Sequence, residues 1–104
     1  ATPPGEPTDA IRARCTAARE RAIARQGSPN QALQGQQIDE HAALDAAALQ
    51  FLNTAAARLG WSARATHRAL KVARTIADLA GARHTQVTHV AEAVQYRRAL
   101  KALA

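Results

Sequence analysis

The sequence predicts an all-α fold, a small bundle of about four main helices. Three observations predict it. Apolar residues recur at spacings of three and four along most of the chain, and no alternating apolar and polar run is long enough for a strand. Hydroxyl or carboxylate residues and glycines punctuate the periodic segments where helices would begin and end.

Each element follows from its own pattern. After Thr8 as N-cap, Ile11, Cys15, Ala18 and Ala22 form one narrow apolar stripe along a first helix that Gly27 terminates. Cys15 reads as a small core residue, and Arg12, Arg14, Arg19, Arg21 and Arg25 as a solvated basic face. The stretch "GSPNQALQGQQ" breaks the period with Gly27, Pro29 and Gly35, leaving a long connection whose turn around Asn30 to Leu33 packs through Leu33. From Ile38 to Gly60 the chain is helical again, with residues 39–44 as a separate turn, Asp45 as an N-cap, and Leu49, Leu52, Ala56 and Leu59 as a second apolar face.

Ser62 caps a third helix that stops before Gly81 and turns Ala69, Leu70, Ala73, Ile76, Ala77 and Ala80 to the core. Thr88 caps the last, which buries Val90, Ala91, Val94 and Leu100 and gathers Arg97, Arg98 and Lys101 near its C-terminal end, where cations suit the helix dipole.

Composition bounds the rest. A chain of 104 residues with 47% hydrophobic content suits one domain, but much of that content is alanine, so the core is expected to be thin and a docking partner to matter. Residues 1–7, rich in proline and small polar groups, read as a flexible linker from something upstream, with 8–104 as the helical domain. Net charge is +6, which suits a polyanion, a phosphate or an acidic protein surface without choosing among them. A single cysteine excludes an internal disulfide and fits a reducing cytoplasm. No apolar run approaches the roughly 18 residues of a membrane span. No signal-peptide pattern opens the chain, so a soluble, mainly monomeric fragment without a membrane partner is expected.

The chemistry-bearing residues are mostly basic. Arg64, Arg68, Lys71 and Arg74 follow spacings of four, three and three, which places them on one broad side of a helix, either a solvated face or an anion-binding one. Arg68, Lys71 and Arg74 are expected to be largely exposed. Arg64 differs from its neighbours because it lies two residues past Ser62, in a first turn whose unpaired N–H groups and dipole already favour an anion. Its planar donors suit a multidentate phosphate.

Against this, the chain has no GxxxxGK[ST] phosphate loop and no apolar strand ending in acidic metal ligands, so the fragment alone has no catalytic residues and cannot hydrolyse a nucleotide. His41, His67, His84 and His89 show no paired-ligand spacing, so each takes a surface or packing role and no metal is expected.

The stretches "SARATHRALKVARTIADLAG" and "VTHVAEAVQYRR", with "IRARCTAARERAIARQG" and "NQAL" upstream, closely resemble the C-terminal region of bacterial magnesium-chelatase-like AAA+ ATPases, the YifB/ComM family. The resemblance runs from Gly5 to Arg98. Cys15, Trp61 and His67 depart from it, standing where that family has a larger aliphatic, an aliphatic and a tyrosine.

The resemblance implies an AAA+ helical lid whose phosphate loop and acidic motif lie in an N-terminal core outside this chain. It implies that Arg64, in "SARA", is the sensor-2 arginine on the γ-phosphate of ATP, with Arg68 a secondary candidate one turn further on. The cofactors it implies are ATP and magnesium in the parent protein, with none bound to the isolated fragment. The partners it implies are the N-terminal AAA+ core, neighbouring subunits of a ring and, through branched-DNA remodelling in that family, DNA. The competing classes are an independent basic helical nucleic-acid-binding module and a purely structural interaction domain. Only one Trp, one Tyr and one Phe are present, which argues against a base-stacking platform.

Overall fold

The structure is a computed structural model and describes residues 8–103, the side chains of 101–103 excepted. The linker expected over 1–7 lies outside the described residues. Five α-helices and one 3-10 turn make up the fold: α1 Thr8–Gln26, the 3-10 turn Asn30–Ala32, α2 Gln36–His41, α3 Ala46–Leu59, α4 Ala63–Leu79 and α5 Val87–Leu103. Four are the main helices expected, and α2 is a short fifth where only a turn was foreseen. Among the described residues the sole β pairing is an isolated parallel bridge, Leu44 to Thr85. No helix among them is long and apolar enough to cross a membrane.

Asp45, Ser62, Gly60 and Gly81 follow the expected cap chemistry, whereas Thr8, expected as the N-cap of α1, already lies inside that helix. The Asp45 carboxylate accepts from the Ala48 N–H at 2.8 Å, and the Ser62 hydroxyl oxygen accepts from the Ala65 N–H at 3.1 Å. Gly60, left-handed at φ 66, ends α3 while the Trp61 N–H returns to the Ala56 carbonyl at 3.0 Å. Gly81, φ 74, repeats the motif for α4, with the Ala82 N–H on the Ala77 carbonyl at 2.9 Å. Both are Schellman ends, in which a residue without Cβ turns the chain at no steric cost. Asp45→Ala and Ser62→Ala should each cost about 1 kcal/mol, read as a drop of several degrees in melting temperature with unchanged helical content.

The start of α5 differs from expectation. Thr88 lies inside the helix, and the end is closed instead by His89, whose Nδ1 accepts the Gln86 N–H at 2.9 Å. Thr85 explains the offset: its hydroxyl donates to the Ala42 carbonyl at 2.6 Å and its N–H to Ala43 at 2.9 Å, which holds the chain in the bridge until Gln86.

A core of Leu33, Ile38, Ala42, Ala48, Leu52, Leu70, Ala73, Val90, Ala93 and Val94 sits between α3, α4 and α5, closed on one side by the 3-10 turn and α2. Leu33 is buried as expected, and so are Ala69, Ala73 and Ala77, with Ile76 half-buried at the margin. Four positions face the other way. Leu49, Leu59, Ala80 and Leu100 are exposed, because α3 buries the row Ala48 and Leu52, and α5 turns Ala93 inward. The apolar stripes are wider than the surfaces available to cover them.

Helix α1 lies outside that core. It meets α4 through Ala18 and Ala22, while Cys15 is exposed rather than buried. Two alanines remove little apolar surface, so most of the docking energy of α1 must come from elsewhere. An exposed thiol also has a direct consequence: alkylation of the native chain should consume Cys15 at close to the rate seen in denaturant, and a strongly protected thiol would place α1 differently.

Candidate anion site at the start of α4

The cap at Ser62 aims the first turn of α4. The first intrahelical bond runs from the Thr66 N–H to the Ser62 carbonyl at 3.0 Å, so the Ala63 and Arg64 amides lie ahead of it and project from the helix end. Arg64 is exposed there. Beside it opens a concavity of ≈ 580 Å³. One wall is Arg64, His67, Arg68 and Lys71 from α4, and the opposite wall is Leu33, Gln34, Gly35 and Ile38; no carboxylate among the described residues lines it.

The members of that wall are not equivalent. Among the described residues, Arg64 and Arg68 make no hydrogen bond or ion pair, so both guanidiniums keep all their donors for something else. Lys71 is half-buried and donates to the Gln31 carbonyl at 3.1 Å, anchoring the 3-10 turn to α4. His67 Nε2 stands 3.8 Å from Asp39 Oδ1, an ion pair when the imidazole is protonated. The concavity therefore sets Arg64 and Arg68 side by side and adds a wall from residues 33–38 that helix periodicity could not supply.

Arg74 does not belong to it. It was expected on the exposed stripe, yet it is 1% exposed and turned into the protein. Its Nη2 donates to Asp78 Oδ1 at 2.7 Å and to the Ala82 carbonyl at 2.8 Å, and its Nη1 donates to the Arg83 carbonyl at 3.1 Å. Arg25, expected in solvent, reaches the same carboxylate at 2.9 and 3.1 Å. Asn30 donates to Asp78 Oδ2 at 2.8 Å, and Arg21 donates to the Asp78 carbonyl at 2.8 Å. Among the described residues no buried side-chain polar atom lacks a partner. Burial pushes the Asp78 carboxyl up, but hydrogen bonds from Arg25, Asn30 and Arg74, with the Arg74 charge, outweigh it and hold the group below its ordinary value. This network fastens α1 to α4, and through Asn30 it adds to the hold that Leu33 and Lys71 already give the 3-10 turn.

Other basic and imidazole groups are structural or solvated. The Arg97 guanidinium lies 5.4 Å over the Trp61 ring, Arg98 is exposed, and the Lys101 side chain falls outside the described residues. His89 is buried in its capping role, His41 is half-buried, and His84 is exposed. No group of three or more His, Cys, Asp or Glu among the described residues is placed to hold a metal ion.

Residues 5–97 match the family model described as magnesium chelatase, subunit ChlI C-terminal. Competence protein ComM of Haemophilus influenzae is 38% identical over 99 residues, covering 95% of this chain and 19% of that protein. YifB of Salmonella typhimurium is 40% identical over 93 residues, and YifB of Escherichia coli K12 is 39% identical over 94, covering 89% and 90% of this chain. The chain thus spans about a fifth of the length of the curated relatives it matches. No solved structure matches it.

Proposed function

From membership of the magnesium chelatase ChlI C-terminal family, to which this chain belongs, we propose that it is the helical lid of a AAA+ ATPase and that Arg64 contacts the terminal phosphate of ATP. The observation that carries this reading is Arg64 at the capped start of α4, without a partner among the described residues, beside a basic concavity that no carboxylate among them lines.

The residues present fit a phosphate. Arg64 offers paired N–H donors, the helix end adds the Ala63 and Arg64 amides, and the dipole there favours negative charge. Arg68 supports from one turn further on. The same residues do not fit magnesium, which needs oxygen ligands; in this reading the acidic groups and phosphate loop belong to the N-terminal core. When bound there, ATP supplies the phosphate charge against which Arg64 works. Arg64 holds that charge more strongly before cleavage than after release, so the lid takes different angles in the two states and passes the difference to neighbouring subunits. Competence and DNA remodelling, suggested by the name of the Haemophilus relative and by the family, fit as the work such a ring performs, in a cytoplasm where ATP is abundant and Cys15 stays reduced.

Amide hydrogen exchange on the full-length protein tests this. The first turn of α4, Ala63 to His67, should exchange more slowly with ATP than with ADP. Equal exchange in both states, with salt-sensitive DNA binding by the isolated chain, would replace the lid reading with a basic nucleic-acid module.

A further inference from the structure

Beyond the phosphate contact, the outer face of α4 carries a second kind of surface. The concavity beside Arg64 adjoins another of ≈ 470 Å³ that shares Arg68 and Lys71 and is otherwise walled by Gln31, Val72, Thr75, Ile76 and Tyr96. From Arg64 to Ile76 the pair extends about 18 Å, roughly three helical turns. Charge and apolarity are segregated along it. Arg64, Arg68 and Lys71 occupy the end nearer the start of α4, and Val72, Ile76 and Tyr96 occupy the other, with no carboxylate among the described residues in the lining of either. Tyr96 is 56% exposed, and Leu100, one turn on along α5, is 51% exposed, so the apolar end continues beyond the groove.

We propose that this groove docks an acidic amphipathic helix of a partner protein, carboxylates against Arg68 and Lys71 and apolar side chains against Val72, Ile76 and Tyr96. Helix-in-groove recognition uses anchors at spacings of three and four, and the row Arg64, Arg68, Val72, Ile76 repeats every fourth residue. A partner of about 12 residues matches the length. Complementary charge fixes its direction, because reversing it would set carboxylates on Val72 and Ile76 and leave Arg68 facing apolar groups. A single nucleic-acid strand fits less well. It needs cations tracking beside its bases and several stacking faces, whereas the cations here lie at one end and Tyr96 is the groove's one aromatic ring.

The proposal does not depend on Arg64 binding ATP, and its test uses this chain without nucleotide. The probe is a fluorescein-labelled helical peptide of about 12 residues, glutamates on one face of its first half and leucines on the same face of its second, followed by anisotropy. A scrambled peptide of equal composition, and an oligothymidine of about 12 nucleotides, serve as comparisons. The patterned peptide should bind at least about tenfold tighter than the scrambled one. Arg68→Glu should weaken it roughly tenfold and Tyr96→Ala several-fold, while Arg12→Glu, exposed on α1, should leave it unchanged. Both groove positions are exposed, so the variants should stay folded, which circular dichroism checks.

Equal binding of patterned and scrambled peptides, or an equal loss in Arg12→Glu, would reduce the groove to a generic basic surface and overturn the proposal. Tighter binding of oligothymidine with the same sensitivity to Arg68→Glu would assign the groove to nucleic acid. Self-association of the chain abolished by Arg68→Glu would assign it to a second copy.

Discussion

Asp78→Asn is expected to lower the unfolding free energy by about 3–5 kcal/mol, a large part of the roughly 5–15 kcal/mol that holds a domain of this size together. The carboxylate is fully buried and neutralises Arg74, which is buried with it, and Arg25, which is partly so. An asparagine of the same shape leaves both guanidiniums in place without their counter-charge, and the cost is that of an uncompensated buried charge. Arg74→Ala should be comparably damaging, since it also frees the carbonyls of Ala82 and Arg83 that close the α4–α5 connection. The double variant Asp78→Leu with Arg74→Leu should recover part of the loss, because removing both partners removes the charge that would otherwise be stranded. Urea unfolding measures all three.

The same carboxylate sets an acid limit. Its folded-state affinity for protons is lower than in the unfolded chain, where an aspartate titrates near about 3.9. Folding therefore gains its full contribution above that value and loses it as pH falls through the unfolded value towards the lower folded one. The parent should lose stability on that acid arm, and Asp78→Asn should lack that part of the slope. A parallel decline in both proteins would show that the network contributes little.

These residues also show what the sequence could reveal. Helix positions and four of the end signals were legible because they depend on local chemistry: Asp45, Ser62, Gly60 and Gly81 act within four residues of where they stand. Which face of an arginine-rich helix is solvated depends on a partner tens of residues away, here Asp78 for Arg25 and Asn30. One signal was available. Asp78 is the lone carboxylate of α4, and with Leu70 and Arg74 it forms a row at every fourth position that begins in the core. A row that begins with a buried leucine and continues Arg, Asp describes an inward ion pair better than a solvated face. Burial of Cys15 and Leu100 was misjudged for the opposite reason, since periodicity marks an apolar stripe without saying whether a neighbour covers it. At the concavity beside α4, the place of Arg64 in the capped first turn was readable from Ser62, while the wall at residues 33–38 depended on the tertiary path of the 3-10 turn.

Arg64→Ala in the full-length protein should reduce ATP turnover by roughly 30-fold to 1,000-fold, the range expected when a phosphate contact that strengthens by about 2–4 kcal/mol from bound ATP to the transition state is removed. The substitution should not disturb the fold, because the side chain is exposed, makes no hydrogen bond or ion pair among the described residues, and leaves the Ser62 cap intact. Arg74 cannot serve as the comparison for loss of one charge, since its removal unfolds the network around Asp78. Arg12, exposed on α1 and away from the concavity, can. Arg68→Ala should fall between the two, as a support one turn from the helix end, while Arg12→Ala should leave turnover within about twofold, as expected for an exposed charge. If the chain contributed only generic attraction for a polyanion, Arg64→Ala and Arg12→Ala would lower DNA affinity equally and leave hydrolysis at the parental rate. The distinction therefore lies in position along the helix and not in net charge: a guanidinium at the capped start of α4 is worth more to a phosphate than the same group on an open face.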